Sequence, residues 1–453
     1  MNSTLHFFGG AGTVTGSNFL LDTGGSKTLV DCGLFQSTHA CEETNWSVFP
    51  YDPKTIDFLI VTHVHIDHIG RIPRLVREGF KGRIISTDAT KTLARPLLLD
   101  SMEILTSEAR RCNREPLYDE KDVEGAMKLW EGVSYHQKIP LLDGLTLELY
   151  DAGHILGSAM VKLTRGERGI LFTGDLGGGN SPLLPPCESP SGVQYLVMES
   201  VYGNTTRKEQ NNRREALEDV VEDTVARGGT LLIPAFSTER TQDLIFEIRT
   251  LMVEKKVPSM PVYIDSPLAQ KITEAFLKHP EYFVAPIRVR LEKGENIFSF
   301  PEAQFTESVA ASTQIDTSPG PKIVLAGSGM SNGGRVRAHE MHVLPDPKST
   351  LLIVGYQVAG SLGRRLIEGV KNVKIQGSDI PVRCKVEALY GYSAHMDGEA
   401  LLEFVGKIAR GLENVFVVHG EPLSSSTLTQ RIRDYLGNRA TAPEIGEKAM
   451  LNL

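Results

Sequence analysis

The sequence predicts an α/β protein built as layers of sheet flanked by helices, with a second, parallel α/β unit inserted into the first. Three observations predict it. Short apolar or alternating segments bounded by Gly and Asp fill the N-terminal half, with helical periods between them. After Asn204 the pattern changes to strand, loop and helix in regular order. From about Arg383 the pattern of the N-terminal half returns, so the chain leaves one unit and comes back to it. The expected division is 1–206, 207–382 and 383–453. At 453 residues, 41% hydrophobic and 23% charged, the chain has the length and composition of a packed protein of several domains.

The elements follow in order. Strands are expected at 18–22, 28–30, 56–61, 145–150, 159–164, 169–173 and 195–199. Some alternate with period two, as Leu145, Leu147 and Leu149 do. Others are apolar throughout, as befits strands covered on both faces. Helices are expected at 72–79, 88–108 and 119–131. The inserted unit begins with a charged helix from Lys208 to Arg227. It continues with a strand at 230–233, a turn at 234–237, a helix at 239–253, a strand at 262–265 and a helix at 268–277. Residues 293–319 are the least regular. Strands at 323–326 and 351–354, a helix at 398–410 and a strand at 415–418 complete the pattern.

Lys and Arg number 48 against 56 Asp and Glu, a net charge of −8. This rules out a wholly cationic nucleic-acid binder but leaves room for a local basic cleft. The five cysteines, Cys32, Cys41, Cys112, Cys187 and Cys384, include no Cys-x-x-Cys pair and are odd in number. That excludes a zinc ribbon or thioredoxin-type motif and argues for a reducing compartment. The opening MNSTLHFFGG has neither the basic start nor the apolar core of a signal peptide. No stretch reaches the roughly 18 apolar residues of a membrane span. A soluble, cytoplasmic protein with no membrane partner is expected.

The strongest chemical signal is Thr62-His63-Val64-His65-Ile66-Asp67-His68, directly after the strand at 56–61. Histidines two apart on extended backbone project to one side, so His63 and His65 can bind one ion. The chain then turns into a helix that aims Asp67 and His68 at a point nearby. Imidazole and carboxylate ligands suit zinc. Further candidates also follow strands: His154 in Asp151-Ala-Gly-His-Ile-Leu-Gly-Ser158, Asp175 in Thr173-Gly-Asp-Leu-Gly177, and His419 in Val418-His-Gly-Glu421. Any one alone reads as a turn residue or a satisfied histidine. Their shared context, with Gly adjacent each time, favours ligands. His6, His39, His136, His279, His339 and His342 lack such a motif and are read as structural or surface residues.

The order Asp31, HxHxDH, His154, Asp175 resembles the metallo-β-lactamase superfamily, which implies a four-layer αββα sandwich with a metal site at one sheet edge. On that resemblance, His63, His65 and His154 hold one zinc, Asp67, His68 and His419 hold another, and Asp175 bridges them. Asp31 is implied as a buried support residue rather than a ligand. Three further motifs narrow the branch. Met198-Glu199-Ser200-Val201-Tyr202-Gly203, Tyr392-Ser393-Ala394-His395-Met396-Asp397 and His419-Gly420-Glu421 resemble motifs A, B and C of the β-CASP nucleases. Val201 and Met396 depart from the usual residues, but neither is a ligand. The segment 207–382 matches that branch's inserted parallel α/β domain. Its stretches Gly327-Ser-Gly-Met-Ser-Asn-Gly-Gly-Arg335 and 355–365, and the opening Gly9-Gly-Ala-Gly-Thr-Val-Thr-Gly-Ser17, are also similar to it.

The resemblance implies a dizinc ribonuclease acting on single-stranded RNA in an interdomain cleft, with internal cleavage favoured over trimming from the 5′ end. His395 is the implied general acid, Glu199 its orienting partner, and Asp67 and Asp175 serve the metal chemistry. The products implied are a 5′-phosphate and a 3′-hydroxyl. Two alternatives stand beside it: a superfamily hydrolase of small esters or thioesters, and a non-catalytic RNA-binding scaffold. Neither glycine-rich stretch has a dinucleotide or P-loop register. The 327–335 loop, with Ser328 and Arg335, reads as a nest of backbone N–H groups facing a phosphate, or as an ordinary tight turn. Arg240, Arg364 and Arg365 are weaker candidates for the same RNA path, or simply solvated charges. The chain is expected to be a stand-alone enzyme similar to the catalytic core of the cleavage and polyadenylation endonuclease. On that reading it is expected to lack the C-terminal domain of ribonuclease J and the N-terminal modules of archaeal relatives.

Overall fold

The computed structural model describes residues 2–36, 41–206, 212–355, 357–358 and 360–453. His39, the start of the helix expected from Lys208, and Tyr356 and Ala359 of the second glycine-rich stretch lie outside them. The chain divides into two compact units: 1–179, 184–206 and 395–453 form one, and 180–183 with 207–394 form the other.

The first unit holds two seven-stranded sheets. One runs in the order Lys448–Asn452, Asn2–Gly9, Asn18–Asp22, Lys27–Val30, Phe58–Ile60, Arg83–Thr87, Trp130–Val133. It is antiparallel up to Lys27–Val30 and parallel beyond. The other runs Ala440–Thr441, Asn414–Val417, Tyr195–Met198, Arg168–Phe172, Ala159–Arg165, Leu145–Asp151, Ile139–Pro140. The expected alternation decides which faces meet. Leu145, Leu147 and Leu149 point inward against Leu5, Phe7, Phe19 and Ile60 of the facing sheet, in one shared core. The central strands Tyr195–Met198 and Asn414–Val417 are buried along their whole length. Their outer side chains, among them Leu196, Met198 and Val417, pack on Leu401, Phe404 and Val405 of the helix Gly398–Ile408. The long helix Asp88–Arg111, capped by the Thr87 hydroxyl accepting the Thr90 N–H, lies along the strands Arg83–Thr87 and Trp130–Val133 of the other sheet. Helix, sheet, sheet, helix is the expected four-layer order.

The second unit is a parallel six-stranded sheet in the order Ala303–Phe305, Val262–Asp265, Lys322–Ala326, Thr230–Pro234, Thr350–Ile353, Lys385–Ala388. Two expectations change here. The irregular stretch 293–319 contains the edge strand Ala303–Phe305 and the helix Val309–Thr317. The strand is short and weakly patterned because it is the edge of the sheet, and the helix buries only Ser312 and Ile315. The return to the first unit, expected after Val382, comes only after Ala394. Lys385–Ala388 pairs in parallel with Thr350–Ile353, which keeps it in the inserted sheet.

Cys41 and Cys112 are joined in a disulfide, with Cα atoms 5.4 Å apart. Cys32, Cys187 and Cys384 remain thiols. The pairing corrects the reading of the cysteines as a mark of a reducing compartment: two positions 71 apart in sequence meet once the helix Asp88–Arg111 has folded. Among the described residues no helix is long and apolar enough to cross a membrane.

Candidate metal centre

The centre lies in the first unit, where strand ends deliver short turns to one place. Beyond Phe58–Ile60 the chain presents Thr62, His63 and His65, then enters the short helix Ile66–Ile69 with His68 buried on it. His154 follows Leu145–Asp151, Asp175 follows Arg168–Phe172, and His419 follows Asn414–Val417. Carboxyl-end loops thus supply the donors, as the motif spacing predicts.

Three overlapping groups of donor atoms form, all through Asp175, and the third joins it to Glu199 and His395. The first is His63, His65, His154 and Asp175; the second is His68, Asp175 and His419. In the first, His65 Nδ1 lies 3.1 Å from His63 Nε2 and 3.2 Å from His154 Nε2. Asp175 Oδ2 lies 3.4 Å from His63 Nε2 and 3.5 Å from His154 Nε2. A tetrahedral zinc with bonds of 2.0–2.1 Å separates its ligand atoms by about 3.3 Å. The donors therefore fit a zinc-sized ion. In the second group, His68 Nε2 and Asp175 Oδ1 lie 3.5 Å apart, both buried and both without a hydrogen-bond partner among the described residues. A cation between them would satisfy both.

The surroundings act differently on the rings of the first and second groups. Burial draws the imidazoles of His63, His65 and His154 below their ordinary range, so each offers a lone pair at neutral pH. Burial alone would also lower His68, but Asp175 and Asp31 outweigh it and hold the ring well above its usual pKa. That is a strong local preference for positive charge. Asp31 is fully buried and accepts four bonds: from the Thr62 N–H (2.8 Å) and hydroxyl (2.9 Å), the Ser17 hydroxyl (3.0 Å) and His68 Nδ1 (2.7 Å). Burial pushes its carboxyl up, and His68 overrides this to leave it below the ordinary value. Asp31 thus ties the Thr62 turn, Ser17 and His68 together through one buried carboxylate.

His395 stands beside the first group, its ring 4.6 Å from that of His154. It pairs with Gly177 in an isolated antiparallel bridge, and its Nδ1 lies 3.1 Å from Glu199 Oε1. Glu199 is completely buried and is fixed by the N–H groups of Leu176 (2.7 Å) and Val201 (3.2 Å).

Other expected residues fall elsewhere. Asp67 is half-buried on the helix Ile66–Ile69 and belongs to none of the donor groups, against its expected place among the ligands of the second ion. It precedes His68 by one residue, and such side chains diverge by about 100° around a helix. Arg335 does not face outward to a phosphate. It donates to Asp265 Oδ1 at 2.6 Å and to the carbonyls of Thr306 (3.0 Å) and Glu307 (2.5 Å), because the buried Asp265 needs a counter-charge. Arg240 is buried 3.6 Å from Asp243, so it is an internal charge rather than an open one. Arg364 is half-exposed and pairs with Glu368 at 2.7 Å along its own helix, Leu362–Ile367. The Ser328 hydroxyl is buried without a hydrogen-bond partner among the described residues, in a turn closed by the Ser328 N–H on the Gly333 carbonyl (3.3 Å). Sequence reasoning missed Thr62 and Ser17. Each adjoins a motif, but nothing in the spacing says where a hydroxyl points.

A four-layer sandwich with imidazole and carboxylate donors at its carboxyl-end loops defines a metal-binding hydrolase. Comparison with known proteins agrees. Residues 11–229 match the metallo-beta-lactamase superfamily, 241–366 the Beta-Casp domain, and 379–443 the Zn-dependent metallo-hydrolase RNA specificity domain. The chain is similar to Ribonuclease TTHA0252 of Thermus thermophilus, 35% identical over 91% of this chain and 92% of that one. It is similar to an RNase J-like protein of Methanocaldococcus jannaschii, 30% identical over 94% and 95%. A third relative is the transcription termination factor FttA of Methanosarcina mazei, 31% identical over 91% of this chain and 66% of that protein. The chain belongs to the β-CASP branch of the metallo-β-lactamase superfamily.

Proposed function

We propose that the protein is a dizinc ribonuclease that hydrolyses phosphodiester bonds of single-stranded RNA, cutting internally and leaving a 5′-phosphate and a 3′-hydroxyl. The observation that carries this reading is His395, held by a buried carboxylate beside the donor cluster. The names of two relatives, a ribonuclease and an RNase J-like protein, point to the same substrate.

His63, His65 and His154 would hold one zinc, His68 and His419 the other, with Asp175 shared between them. When bound, two zinc ions supply charge for the scissile phosphate and activate water at neutral pH. The chain's own part is proton delivery. Glu199 fixes the Nδ1 side of His395, which leaves Nε2 as the atom to donate to the departing ribose oxygen. The bonds from Leu176 and Val201 keep Glu199 in place while His395 gives up its proton.

Zinc-loaded protein incubated with RNA labelled at the 5′ end, and separately at the 3′ end, tests the proposal. Internal fragments from both labels, carrying 5′-phosphates, are expected. Release of 5′ mononucleotides alone would replace internal cleavage by trimming. No RNA cleavage, together with hydrolysis of a small ester or thioester, would overturn the assignment.

A further inference from the structure

Two of the three donors in the second group lead to one hydroxyl. His68 is held by Asp31, and Asp31 Oδ2 accepts from Ser17 Oγ at 3.0 Å. The same Ser17 Oγ lies 3.0 Å from His419 Nε2. On the far side of that ring, Nδ1 faces the Val14 carbonyl at 3.1 Å and donates to it, which leaves Nε2 as the atom that can face an ion. Ser17 is completely buried.

A hydroxyl has a single proton to donate. Ser17 therefore cannot serve both Asp31 and the lone pair of His419 Nε2. A cation at Nε2 removes the conflict: the lone pair goes to the ion, and the hydroxyl stays with Asp31. The rest of the loop seats the ring for that role. The His419 N–H donates to the Gly10 carbonyl at 2.6 Å. Gly10, at φ +66°, passes so close that a Cβ there would lie 2.8 Å from His419 Nε2.

We propose that Ser17 is the positioning residue of the second ion site, holding His68 through Asp31 while lying against His419 Nε2 without donating to it. The inference rests on the dizinc reading above and assigns that site's support to the N-terminal glycine-rich loop. The first group has its own support, since the N–H groups of His154 and Ile155 donate to Ser158 Oγ at 3.0 and 3.2 Å. Ser158 thus serves the first site and Ser17 the second, while the Thr62 hydroxyl, 2.9 Å from Asp31 Oδ2 and 3.0 Å from His63 Nδ1, touches both.

The test measures metal binding directly. Full-length wild type and Ser17→Ala are equilibrated with zinc against a graded chelator, and bound zinc is counted by elemental analysis. Parallel Co²⁺ titrations follow the visible absorption of each site. Ser17→Ala is expected to keep one ion at wild-type affinity and to bind the second roughly 10–100-fold more weakly, the usual cost of losing such a support. The retained ion reports an intact fold. In a His419→Ala background, where the second site is already gone, Ser17→Ala is expected to change nothing further. Two ions with unchanged affinities in Ser17→Ala would overturn the inference alone. So would equal weakening of both ions, which marks a merely structural serine. A wild type that takes up no second ion overturns the dizinc reading, and the inference with it.

Discussion

Arg335 and Asp265 form an ion pair of 2.6 Å in which the carboxylate is completely buried and the guanidinium about one-fifth exposed. Asp265 also meets His339 Nε2 at 2.8 Å and the Ser312 hydroxyl at 2.5 Å, and His339 reaches on to Asp316 at 2.7 Å. The glycine-rich loop of the inserted unit thus ends on an internal charge network.

Arg335→Ala is therefore expected to act on stability. Removing one donor from a buried carboxylate that keeps its others costs about 1–3 kcal/mol, read as a lower urea midpoint. The salt dependence of RNA binding should keep its wild-type slope. A variant as stable as wild type, with a slope shallower by roughly 0.7 for one lost phosphate contact, would return Arg335 to the RNA path.

His339 carries a pH dependence of known sign. Burial lowers its pKa, but the bonds to Asp265 and Asp316 prevail and raise it to about 9. A group whose pKa is raised on folding stabilises below its unfolded value, near 6.5. That stability is lost as pH climbs towards 9. Urea midpoints should fall across this window by the equivalent of at most about 3 kcal/mol. The His339→Gln variant should be less stable below it and should show a flatter profile. An identical pH profile in the two proteins would show that the ring is not charged in the folded state.

His395→Ala should retain its zinc yet lose cleavage by about 10²–10⁴-fold, the usual worth of a positioned proton donor. An aryl phosphodiester, whose leaving group needs little protonation, should be partly spared. Glu199→Gln should follow the same pattern with a smaller loss. Loss of zinc from a folded His395→Ala protein would make the residue a ligand instead.

His419→Ala should lower zinc content towards one ion per chain, whereas His154→Ala should weaken the other site. The donor groups share only Asp175, so Asp175→Ala is expected to weaken both. Elemental analysis separates the three variants. A cleavage-active wild type free of transition metal would end the dizinc reading.

What the sequence by itself determined is local. His63, His65 and His68 lie within six residues after an apolar strand, so backbone geometry alone brings their rings near one another. His154, Asp175 and His419 were legible because each directly follows a strand and adjoins a glycine. The layer order followed from Leu145, Leu147 and Leu149 alternating beside apolar strands, since burial dictates that pattern whatever the partner. What tertiary structure decided is which polar atoms meet. The carboxylate that Arg335 pairs with is 70 residues away, and the hydroxyl beside His419 is 402 residues away. Cys41 found Cys112 across 71 residues. Side-chain hydrogen bonds and ion pairs act over about 3 Å, and neither composition nor periodicity carries a distance that short between segments so far apart. Only the packed sheets and helices do.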